Sequence, residues 1–309
     1  MRHIAGVDEA GRGPLAGPVV ASAIILPDDH GIEGLKDSKK LSELKREKLF
    51  GEIKDKATSI GIGIVHEDEI DRTNILQATR RAMRKAISQL NPRPDEVLID
   101  GYGLPDQVVP NKGIIGGDET VPLISAASII AKVTRDHIMK NYANVFPDYG
   151  FEKHKGYGTP QHMKIISELK ACSIHRKSFS PVKDNLPSLN HLKENRLLGK
   201  WGEQLAARYL VHQGYSIQKM NFNAAPYGEI DVVAINAMTT VFVEVKSATQ
   251  TTLGEPEDKI DESKLEKLSN AFDIYIASHE QETDYRFDII TVLFGYGKPK
   301  LRHYKDCLN

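Results

Sequence analysis

The stretch GVDEAGRGPLAGPVV, residues 6–20, decides the fold and the chemistry of the first part of the chain. An apolar run typical of a strand leads into two adjacent acids, Asp8 and Glu9, and a glycine-rich turn follows. Since adjacent strand residues point to opposite faces, both acids can face one site only where the strand bends or bulges. We therefore expect a bend or bulge where the glycines begin, beside a backbone that a ligand can approach closely.

The composition places bounds on the class of protein. The chain has 309 residues, which favours two domains, and its net charge is −1, so any nucleic-acid site has to be a local basic patch. No apolar run approaches the ~20 residues of a membrane span, and the first residues do not resemble a secretory signal. Cys172 and Cys307 lack metal-type spacing. We expect a cytoplasmic protein with free thiols and no membrane partner.

A polar segment with two prolines, SPVKDNLPSLNHLKEN (180–195), is typical of a domain boundary. We place a first domain at 1–187, a linker at 188–194 and a second domain at 195–309. Runs rich in Val and Ile predict strands in the first domain: residues 19–26, 57–65, 96–101 and 112–118. Helical patterns lie between them: Leu41–Lys54, Asp71–Leu90 and residues 122–143. This mixture predicts an α/β layered domain.

The second domain reads as a smaller α/β domain. An apolar helical face begins at Leu198 and a stop is expected at Gly214. A further helix is predicted over Lys259–Ala271. The predicted strands are EIDVVAI (229–235), TVFVEVKS (240–247) and YRFDIITVLF (285–294).

Four acids of the first domain are candidates for a metal site: Asp8, Glu9, Asp100 and Asp136. Acids at strand ends are well placed to converge, and clustered carboxylates repel one another unless a cation joins them. Mg²⁺ or Mn²⁺ prefers such oxygen ligands, and two ions can hold the attacking and leaving oxygens of a phosphodiester displacement. Taken singly, each acid also fits a surface turn.

Five segments in register resemble bacterial ribonuclease HII over about residues 1–185. They are GVDEAGRGPLAGPVV, DSKKLS (37–42), VLIDG (97–101), SAASIIAKVTRD (125–136) and HKGYGTPQH (154–162). The resemblance implies an RNase H-like mixed sheet flanked by helices. It implies hydrolysis of the RNA strand of RNA–DNA hybrids, and nicking of duplex DNA 5′ of an embedded ribonucleotide, with Mn²⁺ or Mg²⁺.

The resemblance also assigns residues. It implies Asp8, Glu9 and Asp100 as metal-binding catalytic acids with Asp136 as the fourth, and we interpret Asp118 as a capping or orienting acid. The segment Gly11, Arg12 and Gly13 matches the loop that reads the 2′-hydroxyl through its backbone. Tyr157 matches the tyrosine that packs on the sugar at the RNA-to-DNA junction.

Phosphate contacts are expected from local basic residues. Lys39 is the first candidate. The weaker candidates are Arg80, Arg81, Arg84 and Lys85 on one predicted helix, and His175, Arg176 and Lys177. A basic helix is often only a solvated face, and His137 is interpreted as structural.

A second constellation lies in the second domain. Glu244 and Lys246 lie two apart on a predicted strand and share a face, and a hairpin-like pairing brings Asp231 beside Glu244. Glu203, on the first helix of the domain, is expected to reach the same place. Alone, this pattern is also typical of a half-exposed strand.

The segments GKWGEQLAARYLVHQGYSI, GEID and VFVEVK resemble the YraN-like family over about residues 195–290. That resemblance implies a restriction-endonuclease-like fold of the PD-(D/E)xK nuclease type, with branched DNA as a substrate. The family's threonine–arginine pair after EVK is replaced by Ser247–Ala248. Nuclease activity and non-catalytic DNA docking therefore both stay open for this domain.

Two other classes of function compete with a ribonuclease. A non-catalytic nucleic-acid-binding protein is the alternative, although buried negative charge near phosphates gains a pure binder little. Nucleotide binding by the glycine turn is unsupported because the sequence has no G-x-x-x-x-G-K-[ST] segment.

Overall fold

The computed structural model describes residues 2–35, 40–194, 196–249, 262–279, 284–295 and 297–307. The chain divides into two compact units. The first unit comprises Met1–Met139, His154–Met163 and Ile174–Asp184, and the second comprises Lys140–Lys153, Lys164–Ser173 and Asn185–Asn309. Among the described helices, none is long and apolar enough to cross a membrane.

A five-stranded mixed sheet forms the centre of the first unit. Its strands are β1 (Ile4–Ala10), β2 (Val19–Ile25), β3 (Ser59–Val65), β4 (Glu96–Asp100) and β5 (Asn111–Ile114). Their order is β3-β2-β1-β4-β5. β2 pairs with β1 and β3 in antiparallel fashion, whereas β4 runs parallel to both β1 and β5. The carboxyl ends of β1 and β4 therefore meet at one edge of the sheet.

The α-helices before residue 170 are α1 (Glu43–Lys56), α2 (Glu67–Arg72), α3 (Ile75–Ser88), α4 (Gly117–Thr120), α5 (Pro122–Val145), α6 (Phe151–His154) and α7 (Pro160–Leu169). The predicted single helix Asp71–Leu90 is wrong at its start. The helical run is interrupted at Thr73, and Asn74 caps α3 by accepting a 2.9 Å hydrogen bond from the backbone N–H of Gln77. Asn is a favoured N-cap residue, so it begins a new helix there.

The bulge expected at Asp8 and Glu9 is not formed. The ladder between β1 and β2 runs in register from Gly6, which pairs with Ile24, to Ala10, which pairs with Val20. The strand is therefore regular through both acids, and their side chains point to opposite faces of the sheet. The glycine-rich turn begins after the strand has ended, which leaves the ladder intact.

Helices pack closely on both faces of this sheet because the strands carry glycines at the contacts. A Cβ on Gly6 would collide with the backbone of Leu123 at the start of α5. Cβ atoms on Gly61 and Gly63 would collide with backbone carbonyls of α3. Glycine thus lets α5 and α3 approach the sheet from opposite sides, and the apolar core fills the space around these contacts.

The second unit has its own five-stranded mixed sheet, of order β10-β9-β8-β7-β6. The strands are β6 (Ser216–Asn223), β7 (Glu229–Asn236), β8 (Thr239–Thr249), β9 (Asp284–Phe294) and β10 (Lys300–Tyr304), and the helices are α8 (Leu189–Glu194), α9 (Leu198–His212) and α10 (Glu262–His279). β8 and β9 are parallel and the other pairs antiparallel. The predicted fold class, two α/β sheets with helices, is confirmed.

Two details of the second unit differ from expectation, and one predicted helix boundary lies outside the described residues. Most of the predicted linker 188–194 is the helix α8. Both faces of β8 are buried, since Phe242 stacks on Phe272 at 4.3 Å while Val241 and Val243 are also fully covered. The predicted helix start at Lys259 lies outside the described residues. A strand covered on both faces carries buried residues at every position, so its charged members are in the interior.

Candidate active site

Three carboxylates converge where β1 and β4 end. Asp8 on β1 is 5% exposed, and Asp100 is the last residue of β4, whose Ile99 is paired with Val7. Asp118 lies in the first turn of α4. Each of the three offers a carboxylate oxygen within 4.8 Å of those of the other two. This acidic cluster, Asp8, Asp100 and Asp118, has the oxygen donors that a divalent cation requires.

Asp118 is held against Asp100 by its backbone. Its N–H donates to Asp100 Oδ1 at 3.3 Å, and its carbonyl accepts from the Ser125 hydroxyl at 2.6 Å. A Cβ on the preceding Gly117 would collide with Ile124 Cδ1 at 2.6 Å, so glycine lets this turn pack against α5. The interpretation of Asp118 as a capping or orienting acid is corrected, because its carboxylate belongs to the cluster.

Asp136 does not belong to that cluster. It lies on α5 and accepts a 2.6 Å hydrogen bond from Lys132 Nζ within a buried ion pair. Ser128, which hydrogen-bonds Asp8, precedes Asp136 by eight helical residues. Eight residues of α-helix span about 12 Å, so the two positions lie at different levels of the sheet. The structure thus separates Asp136 from the three acids that come together.

The environment of Asp8 disfavours its negative charge. Burial raises the pKa of Asp8 well above its usual range, and the neighbouring carboxylates of Glu9 and Asp100 raise it further. Hydrogen bonds from Ser128 and from the backbone N–H of Glu9 lower it only in part. Since a cation would reverse this penalty, the electrostatics of the cluster fit a bound divalent metal.

Glu9 lies on the other face of β1. Its carboxylate is 3.4 Å from Arg12 Nη1, and its side chain is 12% exposed. Glu9 lines a cavity together with Asp100. Asp100 is the last residue of β4, so it borders this cavity as well as the acidic cluster. The structure therefore brings Glu9 next to Asp100 but places it on the opposite side from Asp8.

The glycine-rich turn is held from behind by two buried arginines. Arg135 donates to the carbonyls of Ala16, Pro18 and Lys155, and Arg176 donates to carbonyls of the same turn, including Gly17 at 3.0 Å. Both side chains are fully buried. Burial lowers the pKa of Arg135 to about 10 and that of Arg176 to about 9, so both stay protonated at neutral pH. They fix the path of the turn through its backbone oxygens.

Tyr157 lies against this turn. A Cβ built on Gly13 would be 3.9 Å from the Tyr157 ring, which is itself 43% exposed. The guanidinium carbon of Arg135 lies over the Tyr157 ring, 5.8 Å from the ring centroid. Gly11 adopts φ +101°, a conformation that favours glycine, and a Cβ there would collide with Arg135. The predicted turn and the predicted tyrosine therefore form one surface.

A histidine cluster supports Tyr157 from the interior. His162 Nδ1 bonds the Tyr157 carbonyl at 2.9 Å, and its Nε2 bonds His175 Nε2 at 3.0 Å. His154 stacks on His162 at 4.2 Å. Burial lowers the pKa of His162 to about 4, and the proximity of His154 adds to this shift, so His162 is neutral at pH 7.

The basic candidates for phosphate contacts lie in different environments. Lys39 lies outside the described residues. His175 and Arg176 are fully buried, so the prediction that they contact phosphate is wrong, whereas Lys177 is exposed. The helix residues Arg81, Arg84 and Lys85 bond within the protein, and Arg80 lines the cavity that contains Glu9 and Asp100. His137 bonds Glu47 at 2.8 Å, consistent with a structural role.

The second set of acids is arranged differently. Lys246 Nζ is 2.7 Å from Glu244 Oε1, and Asp231 accepts from the backbone N–H of Val245 at 2.7 Å. Glu203 accepts from Asn221 at 2.9 Å. Among the described residues, Glu203, Asp231 and Glu244 do not form a group whose oxygens all lie within 4.8 Å. The structure thus keeps Asp231, Glu244 and Lys246 together and gives Glu203 a different neighbour.

The first unit is an α/β domain with a mixed sheet and a carboxylate cluster at the edge of that sheet, an arrangement typical of metal-dependent enzymes. The sequence model of ribonuclease HII matches residues 5–182, and that of the uncharacterised protein family UPF0102 matches residues 202–292. The ribonuclease HII of Geobacillus sp. (strain WCH70) is 55% identical over 194 residues, covering 63% of this chain and 70% of the relative. That of Bacillus thuringiensis (strain Al Hakam) is 56% identical over 184 residues, covering 60% and 71%.

Two solved structures are similar to the first unit. The ribonuclease H2 of Pyrococcus horikoshii OT3 gives a TM-score of 0.51 at 28% identity, covering 59% of this chain and 96% of that one. A chain of the PCNA:RNase HII complex from Archaeoglobus fulgidus gives 0.50 at 26%, covering 60% and 98%.

This chain belongs to the ribonuclease HII family and carries a UPF0102 region after it. It is an endoribonuclease of the ribonuclease H type, and thus a hydrolase.

Proposed function

We propose that the first unit is a divalent-metal-dependent endoribonuclease that cleaves the RNA strand of RNA–DNA hybrids. It also nicks duplex DNA on the 5′ side of an embedded ribonucleotide, leaving a 3′-hydroxyl and a 5′-phosphate. The observation that carries this proposal is the acidic cluster, in which each of the three carboxylates offers an oxygen within 4.8 Å of the others. Such clustered charge is unfavourable for a phosphate-binding surface unless cations bind there.

Asp8, Asp100 and Asp118 would hold the metal, Mn²⁺ or Mg²⁺, and Glu9 would contribute from the other side of Asp100. When bound, the ions supply an activated water and charge stabilisation for the phosphodiester displacement. Asp8 and Asp118 are each 5% exposed, so little bulk water competes for their oxygens. Ser128 and the backbone N–H of Glu9 fix the orientation of the Asp8 carboxylate.

The turn Gly11–Arg12–Gly13 and Tyr157 would select the ribonucleotide. Their backbone and ring form one surface, which Arg135 and Arg176 hold rigid through the turn's carbonyls. A backbone fixed in this way can offer hydrogen bonds to a 2′-hydroxyl, the group that separates RNA from DNA. Tyr157, 43% exposed, presents a ring face to an adjacent sugar.

The test uses a labelled DNA duplex with one internal ribonucleotide, with Mg²⁺ or Mn²⁺. The enzymes compared are the wild type, Asp100→Asn and the matched second-unit variant Glu244→Gln. We expect wild type and Glu244→Gln to nick 5′ of the ribonucleotide, and Asp100→Asn to be slower by about 10³-fold or more. Absence of nicking by the wild type with either metal would overturn the proposal.

A second function is proposed for the UPF0102 region, either cleavage or docking of branched DNA. It is supported by Asp231 and Glu244 on neighbouring strands with Lys246 beside Glu244. The same enzymes assayed on a branched duplex distinguish the two roles. Cleavage that is lost in Glu244→Gln and kept in Asp100→Asn indicates a nuclease, whereas binding without cleavage indicates docking. If the protein neither cleaves nor binds the branched duplex, both roles are excluded.

A further inference from the structure

A cavity of about 370 Å³ opens beside the acids on the Glu9 side of the sheet. Glu9 and Asp100 form part of its wall. The apolar part of the wall comes from Leu76 and Met83 of α3 and from Leu104 in the loop after β4. Its volume falls in the range of small-ligand sites. The cavity therefore combines a catalytic edge with an apolar surface, which the cleavage chemistry itself does not require.

One cation in this wall is uncommitted. Arg80 is half-buried, and its side chain makes no hydrogen bond or ion pair among the residues that the structure describes. Its neighbours on α3 are engaged: Arg81 pairs with Glu69 at 2.7 Å, and Arg84 donates to the Pro105 carbonyl at 2.6 Å. A guanidinium left without a partner beside two acids is available to an anion of the substrate.

An aromatic ring lies on the same wall. Tyr102 is 83% exposed, and the neighbouring Leu76 is 45% exposed. The loop that carries Tyr102 is fixed, because the Asn111 side chain bonds both the N–H and the carbonyl of Leu104, at 2.7 and 3.1 Å. A large ring held in water by a fixed loop suits stacking on a base or packing on a sugar.

We propose that this cavity is a nucleotide subsite next to the cleaved bond. Arg80 binds the phosphate adjacent to the scissile phosphate, and Tyr102 packs on the sugar and base of that nucleotide. The inference rests on the proposed ribonuclease function, since it takes Asp100 as part of the cleavage site. The strand bound there is the one that is cleaved, because Arg80 and Tyr102 line the same cavity as Glu9 and Asp100.

The experiment pairs protein variants with altered substrates. Arg80→Gln is compared with the matched control Arg81→Gln, which removes an exposed guanidinium whose partner is the protein's own Glu69, at 2.7 Å. The substrates are ribonucleotide-containing duplexes in which one linkage at a time is an uncharged methylphosphonate. For the wild type, we expect one linkage beside the cleaved bond at which the uncharged group raises KM about tenfold.

At that linkage the methylphosphonate should not raise the KM of Arg80→Gln any further, whereas it should raise the KM of Arg81→Gln as it does for the wild type. With the unmodified duplex, Arg80→Gln should raise KM about tenfold with kcat nearly unchanged, and should reduce the slope of log KM against log salt by about 0.9. Equal sensitivity of Arg80→Gln and wild type at every linkage would overturn the phosphate assignment. Cleavage by wild type in that experiment keeps the proposed function intact, so the two failures are distinguishable.

Tyr102 is tested on the same duplexes with an abasic residue next to the cleaved bond. Tyr102→Ala should raise KM by about tenfold on the normal duplex and less on the abasic one, and Tyr102→Phe should retain wild-type values. Wild-type KM in Tyr102→Ala on both duplexes would exclude the ring from the subsite.

Discussion

Asp8, Asp100 and Asp118 in the first unit and Asp231 and Glu244 in the second are both acidic groups on sheet strands, but their neighbours differ. In the first unit the carboxylates face one another, and burial with like charges raises the pKa of Asp8. In the second, Lys246 lies 2.7 Å from Glu244 and a backbone N–H binds Asp231. The surroundings of Asp8 thus oppose its negative charge, whereas Lys246 offsets that of Glu244, so the first group has the stronger requirement for a cation.

The largest expected effect tests which acids form the cluster. Asp118→Asn should slow ribonucleotide-directed nicking by about 10³-fold, because it removes a carboxylate from the site. Asp136→Asn is the matched control on α5, and there we expect less than about a tenfold loss, since Asp136 pairs with Lys132. Initial rates at saturating Mn²⁺ measure both. The reverse order of the two losses would return Asp136 to the site.

A second prediction concerns pH and the support of the substrate surface. His162 is neutral in the folded state, with its pKa lowered to about 4 by burial, while an unfolded histidine titrates near 6.5. The unfolded state therefore binds the extra proton first, and the folded state loses about 3 kcal/mol of stability as pH falls from about 6.5 to 4.

Denaturant unfolding between pH 7.5 and 4 checks this prediction, with His162→Gln as the comparison. That variant should be less stable at pH 7.5 and should lack the part of the pH dependence that His162 causes. An unchanged pH profile in His162→Gln would show that the proton is taken up elsewhere.

The smallest expected effects have opposite signs in the two units. Asp8→Asn should stabilise the fold at pH 7 in EDTA, since burial and the neighbouring carboxylates raise the pKa of Asp8, and its ionisation therefore opposes folding as pH rises above the unfolded value of about 3.9. Lys246→Met should cost about 2 kcal/mol, because it leaves Glu244 buried without this partner. Thermal unfolding of both variants beside wild type gives the signs, and equal signs would contradict the comparison.

Much of the fold follows from sequence because its central strands are apolar and bounded by turn residues. β6 and β10 were missed since they form the edges of the second sheet, and their exposed residues leave no apolar run. The interruption at Thr73 was missed because it lies in a polar stretch, residues 71–74, that also fits an exposed helix face, and only the Asn74 cap marks the new helix.

The site was harder to predict than the fold. Asp8 lies near the end of β1 and Asp100 ends β4, and these strands are parallel neighbours, so the approach of the two acids follows from topology. The choice of Asp118 over Asp136 depends on how far each lies from the sheet edge, which sequence spacing does not give. The roles of Arg135 and Arg176 depend on burial against backbone carbonyls, and arginine is seldom so buried.

The most direct test of the central claim is a calorimetric titration of Mn²⁺ into wild type, Asp100→Asn and Glu244→Gln. The convergence of three carboxylates in the first acidic cluster predicts that Asp100→Asn weakens Mn²⁺ binding by more than about tenfold, whereas Glu244→Gln retains the wild-type affinity. Circular dichroism of each variant confirms that it is folded. Wild-type Mn²⁺ affinity in folded Asp100→Asn would contradict the assignment of metal to the cluster.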